Sequence, residues 1–155
     1  MMKMKPVATF VNIRETFQVL VRRFGLLQKD GAQCCGISVV HSHILYELQK
    51  RPNIALNELA DLLSMDTSTL SRQVHHLVET GMVNRLPDPK DRRYVVLSLT
   101  AQGEEQHAQI AAYMESYFAN VFEQIPAEKH EQVLESLLLM NEAMKKSADC
   151  CTPPL

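Results

Sequence analysis

The sequence predicts a mainly α fold with one small β element, a chain of the α+β class. Three observations carry that expectation. Apolar residues recur at steps of three and four through long stretches of the 155 residues, the period of an amphipathic helix. Alternation at period 2 is clear at Val95, Leu97 and Leu99, the mark of a half-buried strand. From Ala55 to Thr100, two short amphipathic helices precede two strands joined by a charged turn. That order is the layout of a winged helix-turn-helix, set here between long helices at both ends.

Taken in order, Phe10, Ile13, Phe17, Leu20, Val21 and Phe24 predict a first helix that ends near Gly25. Ser38 can cap a second helix, with Val40, Ile44, Leu45 and Leu48 on its apolar side. A third, Leu56–Ser64, carries Leu59, Ala60, Leu62 and Leu63 at helical spacing. Its cap position holds Ala55, which lacks a side-chain oxygen; that loss costs about 1 kcal/mol, so packing must hold this end. Ser64-Met65-Asp66 forms a turn, and Asp66 or Thr67 can cap the fourth helix, whose stripe is Leu70, Val74, Leu77 and Val78. Gly81 stops it. Val83 and Leu86 indicate a short strand that pairs with Val95–Leu99, and Pro87 and Pro89 stiffen the loop between them rather than continue a strand. Thr100 can cap a helix running to about Gln124, and Pro126 fits the first turn of a final helix. That last helix holds Val133, Leu134, Leu137, Leu138, Leu139, Met140, Ala143 and Met144. It is more apolar than a peripheral helix on a small domain requires. Burial against a second copy through a two-fold, self-complementary surface accounts for the excess; burial in the monomer core is the alternative.

The length suits one domain, residues 1–155. Within it, 36–100 form the winged lobe, and 1–30 with 101–150 form the helices expected to dimerise. No apolar run approaches the roughly 20 residues that span a bilayer. MMKMKPVATF is basic but lacks the apolar core and cleavage pattern of a signal peptide. The expected location is therefore the cytoplasm, with no membrane partner. The net charge of −2 is unevenly spread: residues 101–155 carry nine acidic and three basic side chains, whereas the first 100 residues carry an excess of basic ones. Net charge bears on association rather than fold, and a local basic surface suffices to release counterions from phosphate.

The face of the fourth helix opposite its apolar stripe carries Ser68, Thr69, Arg72, His75 and His76, with Ser71 at its edge. Short hydroxyls and one arginine suit a helix that enters a major groove about 12 Å wide. The turn beyond Pro87 presents Lys90, Arg92 and Arg93 with Asp88 and Asp91 between them. An arginine on a stiff finger can enter a narrow minor groove, where negative potential is enhanced, and a neighbouring aspartate can fix its guanidinium. Taken alone, the first feature can also be a solvated helix face and the second an ordinary charged hairpin. Together they point to double-stranded DNA as the partner. A winged-helix module that contacts protein instead is the alternative reading.

Three segments, LNELADLL (56–63), STLSRQVHHLVETGMV (68–83) and DPKDRRYVVLSLTAQG (88–103), resemble in order and spacing the helix-turn-helix and wing of the MarR family of bacterial transcription regulators. The resemblance extends from Gly36 to Gly103, and the flanking helices carry it over nearly the whole chain. It implies a homodimer on a pseudo-palindromic operator, usually a repressor loosened by a small molecule, metal or oxidant. It also implies that Ser68, Thr69, Ser71, Arg72 and His75 lie in the recognition helix, and that Asp91 and Arg93 form the family's Asp-x-Arg wing pattern.

Four cysteines form two vicinal pairs, Cys34-Cys35 and Cys150-Cys151. A cytosolic chain keeps its thiols reduced unless they do chemistry, so no disulfide framework is expected. Cys34 and Cys35 precede the helix capped by Ser38, whose positive end is expected to favour thiolate. In the family's dimer the terminal helices intertwine, which can bring one subunit's Cys150-Cys151 toward the other's Cys34-Cys35. Converging thiolates there would take a soft metal or metalloid, or oxidise; gap-filling in the core is the plainer alternative for Cys34 and Cys35. Of the six histidines, His41 is expected to line a cavity beside the dimer helices or to be a hydrogen-bonded polar residue. His43 and His107 are the remaining metal candidates, since some family members hold zinc between these helices. Two histidines without further ligand spacing are few for such a site. His130 has no partner in the sequence and is expected at the surface. No cofactor is required, and the effector is open among soft metal, metalloid, oxidant and small organic ligand. A Cys–His nucleophile pair is formally available, yet nothing supplies an oxyanion stabiliser or glycine-rich loop, so no enzymatic activity is expected.

Overall fold

The computed structural model describes residues 6–147, with side chains described from residue 12. The elements run α1 (Pro6–Gln33), α2 (Val39–Lys50), β1 (Ile54–Ala55), α3 (Leu56–Leu62), α4 (Thr67–Glu79), β2 (Val83–Pro87), β3 (Val95–Leu99), α5 (Ala101–Glu123) and α6 (His130–Lys146). The class is the expected one, helices around a small sheet. The sheet has three strands in the order β1-β3-β2, both pairings antiparallel. β2 and β3 form the wing, from Val83 opposite Leu99 to Pro87 opposite Val95.

Four boundaries differ from the sequence expectation. α1 does not end near Gly25 but continues to Gln33. An interior glycine costs about 1 kcal/mol relative to alanine, and here tertiary packing outweighs it. Leu27 and Ala32 are buried, and Gly31 lies against the Tyr113 ring of α5. The true stop is Gly36, in the left-handed region at φ +70, where the Gly36 and Ile37 N–H groups donate back to Gln33 and Ala32. Second, α3 ends at Leu62 rather than Ser64, because Ser64 itself turns left-handed at φ +53. Third, Pro87 is not a loop residue but the last of β2; β2 lies at the sheet's edge, where a missing N–H is tolerated. Ile54–Ala55, too short to show a period, forms the additional strand β1 against Leu97 and Val96. Fourth, Pro126 precedes a 3-10 turn at Ala127–Lys129, and the last helix begins only at His130.

One core holds the winged lobe. Ile44, Leu45 and Leu48 of α2, Leu59 of α3, Leu70, Val74 and Leu77 of α4 and Leu97 of β3 are all buried. Ala32 of α1 and Ile110 of α5 join the same cluster, so the flanking helices seal the lobe at their inner ends. As expected, α3 has no side-chain cap at Ala55. Its hold is the packing of Leu59 and Ala60 and its continuity with β1. Where β3 hands over to α5, Thr100 Oγ1 accepts from the Gly103 N–H at 3.0 Å and donates to the Gly81 carbonyl at 2.6 Å. This one side chain caps α5 and ties it to the turn that ends α4. Gly103 admits no side chain there, since a Cβ would collide with the Met82 carbonyl.

The outer parts of the terminal helices are different. Among its described residues α6 buries none, and Leu134, Leu137, Leu138 and Leu139 are all more than half exposed. Leu20, Val21, Phe24 and Leu26 of α1 and Tyr113, Tyr117 and Phe118 of α5 are exposed as well.

Candidate nucleic-acid interface

The two parts of the candidate interface are α4 and the β2–β3 wing. Asp66 starts α4: its carboxylate accepts from the Thr69 N–H at 2.8 Å and from Ser68 Oγ at 2.6 Å. These hydrogen bonds hold the Asp66 carboxyl well below the usual carboxylate range. Leu70, Val74 and Leu77 anchor the opposite side of the helix in the core, which leaves Ser68, Arg72 and His75 exposed along one face. Arg72 Nη2 lies 3.4 Å from Thr69 Oγ1, a contact too long to hold the guanidinium tightly. His75 pairs with Glu79 at 3.1 Å, one turn on.

Ser71 sits at the edge of this face, as expected, and His76 is exposed beside it. Ser71 is half-buried and accepts from Arg85 Nη1 of β2 at 3.2 Å. His76 lays its ring over that of His41, with centroids 5.0 Å apart and planes 14° from parallel, so it faces α2. Arg85 is a candidate contact that the sequence reading did not single out. It links α4 to the wing from an exposed position on β2. Period-two counting from Val83 places Arg85 on the same face of β2, but every position of β2 after Val83 is exposed, and only the packing of β2 against α4 sets Arg85 beside Ser71.

The wing's turn is built by its own aspartates. Asp88 Oδ1 accepts from the Lys90 N–H at 2.8 Å, and the Asp88 N–H donates to the Tyr94 carbonyl at 2.9 Å. Asp91 accepts from the Arg93 N–H and binds its guanidinium through both oxygens, with Nε 3.0 Å and Nη2 2.8 Å away. The paired guanidinium holds the Asp91 carboxyl below its ordinary value, and the carboxylate holds Arg93 above its own. Arg93 nevertheless keeps 85% of its side chain exposed against 33% for Asp91. The result is a cation oriented from behind and open in front, a preorganised arrangement for an anionic groove. Lys90 and Arg92 flank it, both exposed.

Behind α4 sits His41, on the first turn of α2 and buried. Its Nε2 donates to Gln73 Oε1 of α4 at 2.8 Å, while its Nδ1 is buried without a hydrogen-bond partner. Burial pushes the His41 imidazole below its ordinary value, which keeps it neutral. Of the two positions offered for it in the sequence, the structure shows the hydrogen-bonded polar residue. Burial likewise depresses His107 of α5, whose ring lies 6.1 Å from that of Tyr46. His43 is half-buried on α2. Among the described residues, no three His, Cys, Asp or Glu side chains come together as metal ligands. His130 is a correction. It is not a free surface residue: its Nε2 lies 2.7 Å from the Phe122 carbonyl and 2.8 Å from that of Ile125, satisfying the end of α5.

The Cys34-Cys35 pair occupies the corner between α1 and α2. The two sulfurs are 3.3 Å apart; Cys34 Sγ donates to the Gly31 carbonyl at 2.9 Å and Cys35 Sγ to Gln109 Oε1 of α5 at 3.6 Å. The expected depressed thiol is overturned at Cys35. Burial, reinforced by the adjacent Cys34 thiol, pushes it up to about 11, and no α2 amide N–H donates to its sulfur among the described contacts. Cys150 and Cys151 lie outside the described residues.

The family model described as MarR family matches residues 37–95, the span from the start of α2 into the wing. The HTH-type transcriptional regulator BilQ of Clostridium symbiosum is 27% identical over 128 residues, covering 83% of this chain and 88% of BilQ. Among solved structures, RV1404 from Mycobacterium tuberculosis superposes with a TM-score of 0.77 at 24% identity, over 91% of this chain and 97% of that one. A mutant of S. aureus MepR bound to an oligodeoxyribonucleotide superposes with a TM-score of 0.64 at 18% identity, over 84% and 96% of the two chains.

Proposed function

The chain belongs to the MarR family of transcription regulators, and we propose that it acts as a homodimeric repressor on a pseudo-palindromic operator in double-stranded DNA. The observation that carries the reading is the pairing of α4 with the wing. A capped helix presents Ser68, Arg72 and His75, and beside it stands an arginine held by Asp91 yet open to solvent. Arg85 joins the two through Ser71. A MepR mutant is crystallised on an oligodeoxyribonucleotide with the same fold, which supports the assignment. In the proposed complex of this chain with DNA, Ser68, Thr69, Ser71, Arg72 and His75 face the major groove, and Lys90, Arg92 and Arg93 contact the flanking backbone and minor groove, with Asp91 orienting Arg93.

The dimer rests on the terminal helices. α1 and α6 leave between them an apolar groove of about 620 Å³ lined by Phe17, Leu20, Leu137 and Met140 among others. With the exposed leucines of α6 it forms a surface larger than isolated apolar side chains explain. A second copy covers it in a two-fold arrangement, which sets two recognition helices on one face of the duplex about 10 base pairs apart. Among the described residues no helix is long and apolar enough to cross a membrane, and the protein works in the cytoplasm with its DNA. An effector, whether soft metal, metalloid, oxidant or organic ligand, releases the repressor by favouring a spacing of the lobes that the operator does not accept. A hundredfold release requires a preference of roughly 3 kcal/mol between the two states.

The test is a fluorescence-anisotropy titration of the chain's own promoter DNA against scrambled DNA at fixed salt. Tighter, salt-sensitive binding to the promoter by a dimer sustains the reading. Equal affinity for both duplexes overturns it.

A further inference from the structure

We propose that Cys34 and Cys35 form a chelating site for a trivalent arsenical that carries one organic substituent. The proposal narrows the effector class within the function above, but it rests on the geometry of the α1–α2 corner and its test uses no DNA.

The first support is the distance between the sulfurs, 3.3 Å. With metal–sulfur bonds of about 2.3 Å, such a bite corresponds to an angle of about 90° at the bound atom, whereas a tetrahedral ion needs about 3.8 Å and a linear one about 4.6 Å. An angle near 90° is that of a three-coordinate centre with a lone pair, the geometry of trivalent arsenic. The second support is access. Cys34 is exposed and Cys35 partly so, so the outer thiol can meet the ligand first and the inner one close the chelate. The two sulfurs come from one corner whose backbone is fixed by the Gly36 turn, so little ordering is needed on binding.

The chemistry of closure also balances without an oxidant. Condensation with an arsenous hydroxyl uses the thiol itself. Each S–H proton leaves with one arsenic-bound hydroxyl as water, and an As–S bond replaces an As–O bond. Two such exchanges release two waters and leave arsenic trivalent, so neither oxidant nor reductant takes part. Inserting an atom between the sulfurs also avoids the strained ring that a direct bond between adjacent cysteines would close.

The experiment uses the full chain with Cys150→Ser/Cys151→Ser, which leaves Cys34 and Cys35 as the only thiols, and phenylarsine oxide as the probe. One equivalent is expected to remove both titratable thiols and add one arsenical by intact mass. The adduct should resist 2-mercaptoethanol and be released by dithiothreitol. Adding Cys34→Ser, with folding checked by circular dichroism, should lower retention against the monothiol at least tenfold. The native chain should also hold the probe at least tenfold more tightly than the same chain in urea. Thiols that stay titratable, retention unchanged by Cys34→Ser, or equal affinity in urea would each overturn the proposal.

Discussion

Helices α4 and α6 are both amphipathic, yet they meet opposite fates in the chain. In α4 the apolar positions Leu70, Val74 and Leu77 are completely buried. In α6 Leu134, Leu137 and Leu138 follow a similar spacing and remain 53%, 53% and 57% exposed. The difference lies in what each helix packs against. α4 lies on α2, α3 and the sheet, all supplied by the winged lobe, whereas α6 finds no comparable surface among the described residues. The lobe is therefore complete within one chain, and the terminal helices are complete only in the proposed dimer.

The largest expected effect probes the self-sufficient side. Leu77→Ala opens a cavity in a filled core and should cost about 2–5 kcal/mol. Urea unfolding should show the same loss at every protein concentration. On the other side, Leu138→Glu places a charge on the apolar face of α6 and should weaken the dimer by about 3 kcal/mol, roughly a hundredfold. Light scattering should then find monomer at concentrations where the parent is dimeric. If Leu138→Glu leaves the dimer intact, the contrast between the two helices has been misassigned.

Smaller effects sharpen the contrast within the interface. Arg72→Ala removes a base contact and should cost about 1–3 kcal/mol with relaxed base preference. Arg93→Ala should weaken binding more uniformly and reduce the salt slope by about 1; anisotropy titrations at several salt concentrations separate the two. Unchanged affinity and salt slope in both variants would remove α4 and the wing from the interface.

The smallest effect is pH dependence. His41 and His107 are both held below the ordinary imidazole value of 6.5 by burial, so the folded state binds fewer protons than the unfolded one. Their contribution is full above 6.5 and is lost as pH falls through that value toward the lowered ones. Thermal unfolding should show lower stability at pH 5 than at pH 7.5, and His41→Gln should flatten part of that slope. For His41 the groups facing it are the titratable His76 stacked on it and the neutral Gln73 bonded to it.

The helix periods, the Thr100 cap and the Gly81 stop were legible in the sequence, which left the α4 cap open between Asp66 and Thr67 and reached the Asp91–Arg93 pattern through the family resemblance. Each depends on residues within a few positions of one another, where local geometry decides the outcome. α1 passing through Gly25, the strand at Ile54–Ala55, the Arg85–Ser71 bridge, His130 under the end of α5 and the raised Cys35 thiol were decided only by tertiary structure. In the first four the partner lies on another element: Tyr113 against Gly31, Leu97 beside Ile54, Ser71 beside Arg85 and Phe122 above His130; at Cys35 burial comes first, and the adjacent Cys34 reinforces it. Local propensity differences are about 1 kcal/mol, and packing, backbone satisfaction and desolvation at such contacts are of equal or greater size.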